Sequence, residues 1–326
     1  MSKPFVEEVL PQLFRAEIPL PNNPLKATNS YLIKGEERHL IVDTGMNRKE
    51  CREAFDAALD ELQLDLAQTD FFITHLHADH LGLVSELAAP TSRIFFNRPD
   101  ALLAGFSELW KVLFEVARKH GFSERELEEA LSRHPGYRYS PTGPIDFEFL
   151  EEGDRLTYGP YTFTCIHTPG HTPGHLCLYE QSRKIFISGD HILGDITPNI
   201  SAWDDAENPL LQYLQSLDKV LEMEIELILP GHRRLLTDSR KRIGELKRHH
   251  HERLKEVSAI VKAAGEGSAY QIASQMEWDI EAPDWERFPI TQKWFAIGEA
   301  IAHLRYLEEE GVIGRRERGG AVLFHA

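Results

Sequence analysis

Short apolar runs alternate with polar turns along the first part of the chain. SYLIK (30–34) and HLIVDTG (39–45) flank a GEER turn, and DFFITHLH (70–77) and RIFFN (93–97) repeat the pattern. Apolar runs of this length, bounded by turn residues, predict buried strands. KECREAFDAALDELQL (49–64) instead has its apolar residues at helical spacing. Residues 99–135 change character. PDALLAGFSELWKVLFEVARKHG and SERELEEALSRH predict amphipathic helices, the second opened by a capping box of Ser123 and Glu126. This helical block stands between two strand-rich halves and reads as an insertion. Its Leu, Phe and Trp stripe is read first as packing surface, and second as a lid over a pocket for an apolar substrate.

Strands resume with FEFLEEGD (147–154), YTFTCIH (161–167), HLCLYE (175–180) and KIFISGD (184–190). A helix over about 209–223 leads to a further strand, ELILPGH (226–232), and a long charged helix is expected over 237–264. AAGEGS (263–268) is the expected linker to a tail, 269–326. There a short helix (AYQIASQM), a longer one ending near Gly311 and a GRRERGGAVLFHA hairpin follow in the order of a winged helix.

Composition narrows the class. With 42% hydrophobic and 27% charged residues, the chain of 326 has the balance of a soluble globular protein able to bury a large core. No apolar run is long enough to span a bilayer, and MSKPFVEEVLPQLF has no basic segment followed by an apolar one, so no secretory leader is expected. Cys51, Cys165 and Cys177 are few, odd in number and far apart, which points to buried thiols in a reducing cytoplasm. The net charge of −16 disfavours broad binding to nucleic acid or anionic lipid. The tail repeats that bias, with ten acidic residues against six basic ones over 268–326. Its expected roles are therefore packing on the preceding domain or homodimer formation, ahead of nucleic-acid binding.

The chemistry concentrates where the apolar strands run out. THLHADHLG (74–82) carries His75, His77, Asp79 and His80 within six positions. His75 and His77 alternate, so both suit a strand end or loop facing one centre rather than one face of a helix. TPGHTPGH (168–175) adds His171 and His175, SGD (188–190) adds Asp190, and LPGH (229–232) adds His232. Strand ends on one edge of a layered sheet protein converge, and ligand sites collect there. Five of these imidazoles with the two carboxylates suffice for two metal ions. The HHH run at 249–251 lies in the charged helix and reads as a solvated face.

HLHADH, TPGH, SGD and PGH, in this order and spacing, with NSYLI and LIVDTG upstream, resemble the metallo-β-lactamase superfamily over about residues 10–262. The motif set is similar to that of glyoxalase II. The resemblance implies a four-layer αββα sandwich in an α/β fold, with the helical insertion and a small C-terminal winged-helix-like domain. It divides the chain into a catalytic domain (1–262), the linker and the tail. It also implies two divalent metals, usually zinc, in some members iron or manganese. His75, His77 and His171 would hold the first metal, Asp79, His80 and His232 the second, and Asp190 would bridge them. A hydroxide held between the metals would attack the substrate, with Asp79 orienting it and taking its proton.

The subgroup with a winged-helix tail includes ribonucleases and acyl-carrier thioesterases. GDHILGDITPNISAW after Asp190 departs from the glutathione-recognition stretch of glyoxalase II enzymes. The apolar insertion and the acidic surface make a hydrolase of a thioester or related small carbonyl ester the leading expectation. A phosphodiesterase or ribonuclease is the alternative, and a non-catalytic binding protein on the same fold is the third reading. Arg233 and Arg234, next to His232, are the candidates to meet an anionic group of the substrate, with a surface salt bridge as the alternative.

Overall fold

The computed structural model describes residues 5–103, 107–202, 207–280 and 282–326. Two extended mixed sheets form the body. The first is built from β1 (Val6–Leu10), β2 (Leu13–Pro19), β3 (Ala27–Ile33), β4 (His39–Val42), β5 (Thr69–Phe72), β6 (Ile94–Phe96) and β7 (Glu148–Phe149), side by side in chain order. Its N-terminal half is antiparallel, and β4 through β7 are parallel. α1 (Lys49–Leu62), α2 (Ala78–Leu81) and α3 (Val84–Leu87) fall within the parallel half, and α4 (Arg98–Leu103), α5 (Ser107–Lys119), α6 (Glu124–Arg133) and α7 (Pro135–Arg138) lie between β6 and β7.

The second sheet contains β8 (Arg155–Tyr158), β9 (Tyr161–His167), β10 (Leu176–Glu180), β11 (Ile185–Gly189) and β12 (Leu227–Pro230), in the spatial order β12-β11-β10-β9-β8. α8 (Pro209–Leu221) joins β11 to β12, which run parallel. α9 (Ser239–Ala264) follows.

The strands are apolar on both faces because both faces are covered. Along β4, Leu40 and Val42 enter the core between the sheets, while Ile41 faces outward to Phe55 and Leu59 of α1. Along β10 and β11, Leu176, Leu178, Ile185 and Ile187 point inward, and Cys177 and Phe186 point out toward the α8 and α9 layer. The period of two along each strand thus produces helix, sheet, sheet, helix: the expected αββα layering. β1, β2 and β8 are strands that the hydrophobic pattern left unread. β1 and β8 are edge strands with polar or exposed alternate positions.

The capping box forms as expected: Ser123 accepts from the Glu126 N–H, and Glu126 reaches back to the Ser123 N–H. The expected helix over 99–121 crosses residues 104–106, which lie outside the described residues, as do Trp203 of the GDHILG stretch and Glu281 of the tail.

Residues 263–268 do not form a free linker. α9 runs to Ala264, Glu266–Gly267 forms a short strand, β13, and Ser268 caps the next helix. That helix, α10 (Ala269–Ala273), is followed by α11 (Ile290–Glu309), β14 (Gly314–Arg318) and β15 (Ala321–His325). The three short strands pair in the order β13-β15-β14. α11 packs on α6, α8, α9 and α10. One apolar cluster accordingly runs from Val116 and Leu127 of the insertion, through Leu214 and Val257, to Ile297 and Leu304 of the tail.

The HHH run differs from expectation. His250 is fully buried, with its Nδ1 3.2 Å from His303 Nε2 of α11. It continues the buried stripe Ile243, Leu246, His250, Leu254 and Val257 at the helical period, so only its neighbour His251 is exposed.

Candidate metal centre

The parallel pairs β4–β5 and β11–β12 bring four strand ends to one edge of the sandwich. His75 and His77 follow β5, and Asp79 and His80 lie on the single turn of α2. His171 is in the β9–β10 loop, Asp190 directly follows β11, and His232 follows β12. All seven meet. Ligand atoms of His75, His77 and His171 fall within 4.8 Å of one another, as do those of Asp79, His80 and His232, and those of His75, His80 and Asp190. Asp190 lies between the groups: its carboxylate is 3.5 Å from His80 Nε2, 3.7 Å from His171 Nε2 and 3.4 Å from His232 Nε2. Gly231 permits this approach, because a Cβ there would stand 2.5 Å from Asp190 Oδ1 and 2.8 Å from His80 Cε1.

The outer face of four of the five imidazoles is fixed by a partner. His80 Nδ1 donates to Asp43 Oδ2 at 2.7 Å, His171 Nδ1 to the Asn199 carbonyl at 2.7 Å and His232 Nδ1 to the Ala27 carbonyl at 2.7 Å. His75 Nδ1 is 2.9 Å from Thr74 Oγ1. These bonds leave the lone pair on Nε2 turned inward, the tautomer a metal ligand needs. The Nε2 atoms of His80, His171 and His232 and Asp190 Oδ1 are buried without a hydrogen-bond partner. Buried polar atoms without partners are rare, so four gathered around the Asp190 carboxylate fit bound cations. The spacing fits as well. Two nitrogens sharing a tetrahedral zinc stand roughly 3.3 Å apart, and His75 Nε2 and His77 Nδ1 are 3.0 Å apart.

Electrostatics divide the cluster. Burial, helped by neighbouring imidazoles, holds His75 well below the usual histidine range and His77 down at about 3. At His80 and His232 burial acts in the same direction but is outweighed by carboxylates. Asp190, Asp43 and Asp79 raise His80, and Asp190 and Asp79 raise His232 to about 10. Burial works against ionisation of Asp79 and Asp190, yet the facing imidazoles hold both below the usual carboxylate range. The carboxylate-rich half of the cluster thus favours added positive charge, the charge a cation would bring.

His175, the second histidine of TPGHTPGH, takes a supporting place. Its Nε2 accepts from the Asp190 N–H at 3.1 Å, and its Nδ1 is 2.9 Å from Thr168 Oγ1. Arg233 and Arg234 follow His232 but do not line the cavity described below. Arg233 donates to the Pro24 carbonyl at 2.5 Å, and Arg234 pairs with Asp195 at 2.7 Å on the surface.

Residues that sequence reasoning missed hold the ligand loops. Asp43, the acid of LIVDTG, has φ of +61° at the end of β4 and accepts from the Thr74 N–H and hydroxyl as well as from His80. Asp100, fully buried in α4, accepts from the Leu76 N–H at 2.9 Å, the Gly174 N–H at 2.6 Å and the Thr172 hydroxyl at 2.7 Å. It thereby ties the two histidine loops together. The one available signal was an isolated acid within the apolar stretch PDALL.

A cavity of about 770 Å³ opens beside His77 and His171. Its walls are mostly apolar and aromatic: Leu81 and Phe147 from the first half, Trp110 and Leu113 from the insertion, Trp294 and Ile301 from α11. The volume lies within the roughly 300–1,000 Å³ of small-molecule sites. The insertion thus serves as packing and as wall at once, since Val116, Ala117 and Phe122 belong both to the core and to the lining.

Residues 23–232 match the family model of the metallo-beta-lactamase superfamily. The chain is similar over 98% of its length to all of a metallo-beta-lactamase family protein from Thermus thermophilus, with a TM-score of 0.82 and 28% identity. It is 28% identical to a lactamase-like protein of Emericella nidulans over 74% of this chain, and spans 64% of that relative's length. It is 27% identical to an acyl-coenzyme A thioesterase of Gallus gallus over 63% of this chain and 72% of the relative. With the layered sheets, the histidine and aspartate cluster at their edge and these similarities in hand, the chain belongs to the metallo-beta-lactamase superfamily of hydrolases.

Proposed function

We propose that the chain is a dinuclear, zinc-dependent thioesterase whose apolar cavity receives the acyl group. One observation carries this reading: the cavity of about 770 Å³ opens directly at His77 and His171. His75, His77 and His171 would hold one ion, Asp79, His80 and His232 the other, and Asp190 both. Bound there, divalent cations polarise a carbonyl and bring the pKa of water toward neutrality.

The chain's own residues do the rest. Asp79 is held as a carboxylate at neutral pH, so it can accept a hydrogen bond from water and orient it. Asp43 and the Asn199 and Ala27 carbonyls keep the imidazoles in one tautomer. The aromatic walls exclude water from the acyl chain, contributing about 0.8 kcal/mol per methylene buried. Arg233 and Arg234 remain the proposed contacts for an anionic leaving group, Arg234 through its exposed side chain.

The similarity to an acyl-coenzyme A thioesterase supports this substrate class. The net charge of −16 weighs against the ribonuclease alternative. In the same reading, residues 269–326 are a winged-helix-like unit, supported by the order of α10, α11, β14 and β15. Cys51, Cys165 and Cys177, all buried free thiols, suit a reducing cytoplasm. Among the described residues, no helix is long and apolar enough to cross a membrane.

The test is a panel of acyl-coenzyme A and glutathione thioesters incubated with metal-loaded protein, following free thiol. Release that is lost in Asp79→Ala supports the reading. No release from any thioester, with both ions verified by elemental analysis, overturns it.

A further inference from the structure

The tail reaches His171 through the loop that carries Asn199. His171 Nδ1 donates to the backbone carbonyl of Asn199 at 2.7 Å. The Asn199 side chain is in turn held by α11: its Nδ2 donates to the Phe295 carbonyl and to Glu299 Oε2, each at 3.3 Å. Ser201 donates to Asn199 Oδ1 at 2.5 Å, so both ends of the amide are fixed. α11 comes this close only because position 298 is glycine. A Cβ there would stand 2.6 Å from Ser201 Oγ and 3.0 Å from Ser201 Cβ. Glu299 is anchored from behind by Arg253 of α9 at 3.6 Å.

We infer that α11 is part of the catalytic apparatus: through Asn199 it positions His171 for cation binding, and through Trp294, Ile297 and Ile301 it closes the cavity beside that histidine. Asn199, Gly298 and Glu299 are therefore positioning residues, contributed largely by a segment that the motif pattern assigns to a separate unit. This rests on the proposed cation site and is independent of the thioester assignment. Partners that orient a ligating imidazole typically control metal affinity by 10–100-fold. A segment that only packs would change stability and leave affinity alone.

The experiment is competition for Zn²⁺ between the full-length protein and a chromogenic chelator, read beside thermal unfolding. Asn199→Ala and Gly298→Ala are expected to weaken zinc binding about tenfold or more. Glu299→Gln keeps an acceptor for Asn199 and is expected to stay within about twofold of wild type, with Glu299→Ala falling with the others. Leu304→Ala, on the fully buried face of α11 and away from the Asn199 loop, serves as the packing control: it should lower Tm and leave zinc affinity within about twofold. Should Asn199→Ala fail to fold, Gly298→Ala and the Glu299 pair decide the question. Zinc affinity unchanged in folded Gly298→Ala and Glu299→Ala overturns the inference. So does a loss in Leu304→Ala as large as in Gly298→Ala. Absence of thioester turnover in wild type would leave this result standing and sink only the substrate class.

Discussion

At the scale of single residues, the site depends on carboxylates that never face the substrate. Asp43 satisfies His80, the Thr74 hydroxyl and the Thr74 N–H from one buried position. Asp43→Ala is expected to weaken zinc binding by 10–100-fold, measured by chelator competition, whereas Asp43→Asn should retain part of the affinity because an amide oxygen still accepts. Asp100→Ala removes the acceptor of two N–H groups and a hydroxyl at once, and a cost of about 2–4 kcal/mol is expected in denaturant unfolding. The seven centre residues were legible because each is part of a short local motif at a strand end. Asp43, Asp100 and Asn199 were not legible as supports, because what they hold lies 37, 72 and 28 residues away along the chain. His250 could have been read, because its spacing from Leu246 and Val257 puts it on the apolar face of α9.

At the scale of elements, two junctions carry the fold's response to pH and substrate. Asp70 of β5 accepts from Arg38 and Arg93, and from Tyr158 of β8 in the opposite sheet at 2.6 Å, which latches the sheets at their rim. Burial works against its charge, but Arg38, Arg93 and Tyr158 prevail and bring it down to about 2. A depressed carboxyl pKa stabilises the fold above the unfolded value, and that stability is lost as pH falls toward the folded value. Wild type is thus expected to exceed Asp70→Asn by on the order of 2 kcal/mol at pH 6 in urea unfolding, the gap closing from about pH 4 toward 2. The second junction is the cavity wall supplied by α5. Lengthening an acyl chain is expected to raise kcat/KM about three- to fourfold per methylene until the cavity is full. Leu113→Trp should move that limit to shorter chains, read as a ratio of dodecanoyl to acetyl thioester turnover. The existence of the insertion and its helical type were legible from period and capping. Its service as a wall stood only as the second reading, because the opposite wall, Trp294 and Ile301, comes from far along the chain.

At the scale of the whole molecule, the net charge of −16 sets long-range behaviour. Coenzyme A thioesters are anions, so encounter with this surface is repulsive and salt should relieve it. kcat/KM for an acyl-coenzyme A is expected to rise between 20 and 200 mM salt on the order of twofold, while a neutral pantetheine thioester stays flat. A fall with salt would instead show that Arg233 and Arg234 dominate the local field. The expected division into catalytic domain, linker and tail followed the motif resemblance and the Gly-containing stretch AAGEGS. Burial is distributed otherwise, with one apolar cluster spanning insertion, second sheet and α11. That distribution bears on how the protein matures in the cell. A ribosome delivers His75 through His232 before it delivers Ile290 to Glu309, so a nascent chain exposes the metal-binding motifs while Asn199 still lacks its support from α11. Chains cut short by proteolysis or premature termination after α9 would carry every motif and still load metal poorly. Activity would thus report the integrity of the tail, sparing the cell a half-finished hydrolase.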